Sequence, residues 1–190
     1  MKLWVIGALA AMTTAPAAAQ VGTVPDPTAA ERRRSVETGL CVVREDWNLA
    51  ARMLRAGANT GVQNRFMVLI RKCASPGKML FPNVVMGAAA ESIMTERGFS
   101  IDALGTAKPM PKAFLDNPTN RLFACAITAA PAALKTMLRT RVGAPEEPEA
   151  IQDFRLALEK CDAVRGRAIT AINIRASAAR AAFVMVDHAR

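Results

Sequence analysis

Residues 41–55, CVVREDWNLAARMLR, and residues 125–139, CAITAAPAALKTMLR, superpose without a gap: Cys41 falls on Cys125, and Met53-Leu54-Arg55 falls on Met137-Leu138-Arg139. A second pair of segments repeats the relation. FMVLIRKC, residues 66–73, matches FRLALEKC, residues 154–161, so Phe66 pairs with Phe154, Val68 with Leu156, Ile70 with Leu158 and Cys73 with Cys161. Matches in register at both ends of a unit point to an internal duplication. The four-residue difference in spacing falls in the loop 142–148.

Outward from these anchors the chain reads as helices. Asp26-Pro27-Thr28 opens a helix to about Val43, and Asp46 caps a short one over 47–55. Thr60 opens a third, with Val62, Phe66, Leu69 and Cys73 on one face, and Ser75-Pro76-Gly77 ends it. Pro82 sits in the first turn of a fourth, running to about Arg97. Residues 98–117, broken by Gly98, Gly105, Pro109 and Pro111, read as a linker. Asn117-Pro118, Pro131 and Pro148 then open the helices of the second unit. The last helix, from about Arg167 to His188, carries Ile169, Ile172, Ala176, Ala179, Phe183 and Val186 at steps of three and four. With no convincing alternating strand, the expectation is an all-α fold: two tandem pseudo-repeats of about four helices each, 28–97 and 118–190, packed up and down.

Ahead of the repeats stands MKLWVIGALAAMTTAPAAAQ, with one Lys, a short apolar run and Ala17-Ala18-Ala19 before Gln20. This reads as a secretory signal peptide over 1–19, cleaved before Gln20 and followed by a flexible segment, 20–27. The expected location is therefore periplasmic or secreted, with no transmembrane segment in the cleaved chain. The whole sequence has 190 residues, 25 Lys and Arg against 16 Asp and Glu, and 52% hydrophobic residues. That is too apolar for a disordered polyelectrolyte and enough for a packed core. Cleavage removes Lys2 and leaves a charge of +8, from 24 basic and 16 acidic side chains.

Export changes how the four cysteines read, because an oxidising compartment favours disulfides. In an up-down-up arrangement Cys41 and Cys73 both lie near C-terminal helix ends on the same side, and Cys125 and Cys161 repeat the relation. One disulfide per repeat follows, Cys41 with Cys73 and Cys125 with Cys161. The alternative is four reduced cysteines serving as small core side chains.

The run Cys41-Val42-Val43-Arg44 with Asp46, the Met-Leu-Arg turn and Lys72-Cys73 resembles a family of small exported helical proteins of sphingomonad-type bacteria. The likeness covers the first unit well and the second weakly, since Ala126-Ile127-Thr128 follows Cys125 and Pro131 stands where Trp47 would. A small-residue helix with a Glu, as in Ala88-Ala89-Ala90-Glu91, is similar to that family's pattern, although the Tyr expected shortly after is absent. The resemblance implies a compartment and an architecture, and no activity.

Nucleotide-binding Gly-rich loops, Gly-x-Ser-x-Gly and His-Glu-x-x-His are absent from the sequence. The only imidazole, His188, is the third residue from the end, where fraying would place a general base poorly. The cysteines stand alone without a Cys-x-x-Cys pair, so no metal and no cofactor are expected. Glu91, among Ala88 to Ala90 and Ile93-Met94, is the one weak catalytic candidate: a desolvated carboxylate serves as an acid or base, whereas an ion pair with an Arg or a wet helix stripe makes it ordinary. Arg52, Arg55, Arg139, Arg141, Arg165 and Arg167 are the candidate anion-binding residues, against the ordinary reading of a solvated face. Nucleic acid is not expected, for want of aromatics on which bases would stack. The leading expectation is a non-enzymatic protein that binds a partner protein or an anionic envelope component through a basic surface. The alternative is an enzyme that uses Glu91 and arginines on an anionic substrate.

Overall fold

A computed structural model describes residues 27–55, 60–105 and 110–188. The expected signal peptide and residues 20–26 of the segment after it lie outside the described residues. Within them the chain is all helical. Helix α1 spans Ala29–Arg55, α2 Thr60–Cys73, α3 Pro82–Glu96, α4 Lys112–Leu115, α5 Pro118–Ala129, α6 Pro131–Arg139, α7 Glu147–Cys161, α8 Ala163–Ala168 and α9 Ala171–His188; a 3-10 turn covers Ile101–Gly105.

The starts obey local chemistry. The Thr28 N–H and hydroxyl both donate to Glu31 Oε2 at 2.8 Å, and the Glu31 N–H donates back to Thr28 Oγ1, a capping box that begins α1. Asp46 leaves the helical region (φ −155°, ψ 82°) and accepts from the Leu49 N–H at 2.8 Å, so α1 is two helices joined at a kink. Asn117 Oδ1 takes the N–H groups of Thr119 and Asn120, and prolines stand in the first turns of α3, α5, α6 and α7.

Both units share an order, a helix with the first cysteine, a short one with Met-Leu-Arg, a helix with the second cysteine and a small-residue helix, with α8 inserted before the last of these in the second unit. The disulfides are Cys41–Cys73 and Cys125–Cys161, with Cα atoms 5.8 Å and 6.1 Å apart. Val68 and Leu156, paired by the sequence match, are both exposed.

The two units share one core. Val42, Leu54, Phe66 and Ile93 of the first belong to the same buried cluster as Phe123, Phe154, Leu158 and Phe183 of the second. Helix α3 lies between α1 and α9. A Cβ built on Gly87 would stand 2.5 Å from the Cα of Ala176, so α3 and α9 approach as backbone on backbone. The segment between the units also joins the core: Phe99, Leu104, Met110 and Phe114 are buried, and the Phe99 ring lies 5.6 Å from that of Phe183.

The last helix begins later than its periodicity implies. Asp162 accepts from the Arg165 N–H and starts α8, and Ile169 is extended (φ −82°, ψ 128°) before α9 opens at Ala171. Arg155 Nη1 holds this break by donating to the carbonyls of Gly166, Arg167 and Ile169 at 3.4, 3.3 and 2.8 Å.

Candidate functional site

Where α3 meets α9, four charged side chains form a chain through the interior. Glu91 of α3 accepts from Arg175 of α9 as a two-pronged pair, Nε to Oε1 at 2.9 Å and Nη2 to Oε2 at 2.7 Å. Arg175 Nη1 donates to the Thr140 carbonyl at 2.9 Å and to Glu147 Oε1 at 3.1 Å. Glu147 in turn pairs with Arg32 of α1. Two carboxylates and two guanidinium groups make the chain neutral.

Each position has a local cause. Glu147 opens α7, where a helix N-terminus favours negative charge. The turn before it places Gly143 at φ +79°, and the Gly143 N–H donates to Glu147 Oε2 at 2.8 Å. Arg175 stands in the apolar run of α9 with its side chain 5% exposed, and Glu147 is 3% exposed. Burial opposes the charge on Arg175, yet the hydrogen bonds it donates to Glu91 and the charges of Glu91 and Glu147 outweigh it and hold its pKa above the ordinary value.

Three of these side chains, Arg32, Glu91 and Arg175, line a groove of about 250 Å³. Its walls are apolar, from Val36 and Leu40 of α1, Val84 and Ala88 of α3, and Ile172 of α9. Glu91 thus lies in a concave site beside other polar groups, the setting an acid-base catalyst requires. Its oxygens are nevertheless both engaged by the Arg175 fork. The arrangement clasps the two units together. Among the described residues no three His, Cys, Asp or Glu side chains gather as a metal site would need. His188 is exposed at the end of α9.

The six arginines singled out from the sequence do not converge. Arg55 donates to Asp187 through Nε and Nη2, both at 2.6 Å, Arg139 pairs with Asp102 at 3.0 Å, and Arg165 faces Asp162 at 3.6 Å. Arg167 Nε donates to the Ala163 carbonyl. Arg52 and Arg141 are exposed. Trp47, half-buried against the core, stacks under the guanidinium of Arg97 at 5.0 Å.

Sequence reading passed over Arg175 and Glu147. For Arg175 the signal was present, since it and Arg180 are the two cations in the apolar run INIRASAARAAFVMV, the same kind of signal that singled out Glu91. It also passed over the distribution of charge: residues 27–80 hold ten basic and four acidic side chains, so α1, α2 and the loop after them carry +6 of the +8. Arg33, Arg44, Arg52, Arg65, Arg71 and Lys78 are all exposed there. None of them is paired with a carboxylate among the described residues. A scan against protein-family models, a search of curated proteins and a search of solved structures each return no match to this chain.

Proposed function

We propose that this chain is an exported, non-enzymatic helical protein that binds an anionic component of the cell envelope, or the acidic face of a partner protein, through the basic surface of its first unit. One observation carries the reading: Arg33, Arg44, Arg52, Arg65, Arg71 and Lys78 of α1, α2 and the following loop are exposed without carboxylate partners among the described residues, whereas Arg32, Glu91, Glu147 and Arg175 are satisfied by one another. A surface of that kind attracts anions at long range and pays little desolvation on contact. Two disulfides support an oxidising compartment, in keeping with the signal-like N-terminus and with the exported family that the Cys41 motif resembles.

The test is binding to phosphatidylcholine vesicles with and without phosphatidylglycerol. Binding should require the anionic lipid and weaken steeply as the screening length falls from about 30 Å at 0.01 M salt to about 8 Å at 0.15 M. Absence of binding at low salt would refute the envelope reading.

An enzymatic reading has one observation in its favour, the place of Glu91 in the groove. The grip of Arg175 on both carboxylate oxygens weighs against it. Should an activity be found on an anionic substrate, Glu91→Gln would have to abolish it for this reading to stand.

A further inference from the structure

Beside the first disulfide a concavity of about 290 Å³ opens between α1 and the loop that follows α2. One wall is a single face of α1, Arg34, Glu37, Thr38, Cys41 and Arg44, at steps of three and four or their sum. The other is Cys73, Ser75, Lys78 and Leu80. The Cys41–Cys73 bond ties the two walls together at the middle of the site.

Three cations, Arg34, Arg44 and Lys78, meet one acid, Glu37, so the concavity carries a formal +2. None of the four is in an ion pair among the described residues. Arg34 Nε is buried and has no hydrogen-bond partner. A buried guanidinium N–H left unmatched is costly, and no protein acceptor fixes the Arg34 head group through that atom. The Thr38 hydroxyl already donates to the Arg34 carbonyl at 2.8 Å and is committed to the helix. Glu31, one turn earlier, feels the charge of Arg34 but is bonded to Thr28, which leaves the guanidinium to other acceptors.

We propose that this concavity binds phosphate oxyanions carried in a row, as in an oligophosphate or in clustered phosphate head groups. This rests on the reading of the first unit as an anion-binding surface, and assigns it a place and a ligand chemistry. Arg34 and Arg44 lie ten residues apart on one helix, about 15 Å along its axis. A row of phosphates can span that interval and meet each cation separately, with Lys78 facing it from the loop. Guanidinium forks match phosphate oxygens two at a time, and Lys78 adds a point charge. The disulfide keeps the loop at the right distance, so the site exists only in the oxidised protein.

The experiment is calorimetric titration of the disulfide-bonded protein with tripolyphosphate at low salt, alongside inorganic phosphate and the phosphatidylglycerol vesicles. Tripolyphosphate should bind more tightly than inorganic phosphate. Arg44→Gln with Lys78→Gln, both exposed positions whose change leaves the fold intact, should weaken it about tenfold or more. Arg52→Gln with Arg141→Gln removes the same charge elsewhere and should weaken it no more than about threefold. Arg34→Gln should match the first pair, and reduction of the disulfides should abolish the difference between the two pairs. A free oligophosphate as the source gives loss of tripolyphosphate binding with vesicle binding little changed; a lipid source gives loss of both. Equal losses for the two pairs, or no tripolyphosphate binding by the parent, overturn the site, while vesicle binding by the parent in those same cases leaves the broader reading standing.

Discussion

Replacing Arg175 by Met tests the interior charge chain most directly. Met keeps the apolar stem that packs in α9 and removes only the guanidinium. Glu91 and Glu147 then lose four hydrogen bonds between them and the Thr140 carbonyl, counting the two that Nη1 makes. Removing one member of a buried pair costs about 3–5 kcal/mol, since a charge is stranded out of water. Here the lower end applies: the Glu91 side chain is 22% exposed and draws on water, and Glu147 keeps Arg32 and the Gly143 N–H. A loss of about 3 kcal/mol corresponds to a fall in Tm of roughly 6–12 °C in a chain of this size. Adding Glu147→Gln removes the stranded buried charge, so the double variant should be more stable than the sum of the single losses predicts, by about 1–2 kcal/mol. Urea unfolding at pH 7 with the disulfides intact measures all four corners of the cycle. The single loss should persist at 1 M NaCl, because a buried pair is little screened. An Arg175→Met protein within about 0.5 kcal/mol of the parent, or an additive double variant, would refute the argument.

Gly87→Ala should forgo the helix-propensity gain of about 1 kcal/mol and instead cost about 1–3 kcal/mol, because the new Cβ meets backbone of α9; a higher urea midpoint would contradict this. The disulfides close separations of 32 and 36 residues and should each contribute about 4 kcal/mol on the chain-entropy model, so reduction should lower Tm sharply; an unchanged Tm with all thiols titratable would refute it. The carboxyl of Glu31 is held below its ordinary pKa, first by the Thr28 N–H and then by the Thr28 hydroxyl. Its contribution is present above the ordinary carboxylate value and is lost as pH falls through the lowered one, so first-turn amide exchange in α1 should quicken on acidification and Glu31→Gln should flatten that profile.

The cysteine pairing and most helix starts were legible because they rest on local or repeated signals. Asp46 and Asn117 cap within three residues of themselves, and the two cysteine pairs fall at matching places in both units. The charge chain was not legible. Its links join residues 84, 28 and 115 apart in sequence, and no periodicity announces which cation an interior carboxylate will meet. The break before α9 escaped for another reason. The apolar seam runs through Ile169, but Asp162 supplies a cap and Arg155, from a different helix, collects the carbonyls that the break exposes. The basic concavity escaped because Arg34 and Arg44 look like ordinary solvated positions until the disulfide brings the Lys78 loop alongside.

The α3–α9 contact explains why charge sits inside a core that could have been apolar. Gly87 to Ala90 of α3 and Ala176, Ala178, Ala179, Ala181 and Ala182 of α9 are buried. Such a seam packs closely but discriminates poorly, since sliding one helix past the other replaces Ala by Ala. The two-pronged pair between Arg175 and Glu91 has a single good geometry, and the link to Glu147 fixes α7 to the same register. An apolar triple variant, Glu91→Leu, Glu147→Leu and Arg175→Met, should therefore stay as stable as the parent or gain about 1–4 kcal/mol, since the one charge left without its partner is that of Arg32, whose side chain is 20% exposed and reaches water. What it should lose is uniqueness, seen as doubled amide resonances along α3 and α9. One sharp set of resonances with unchanged contacts between the two helices would show that the alanine seam sets its own register, and would leave the charge chain without this role.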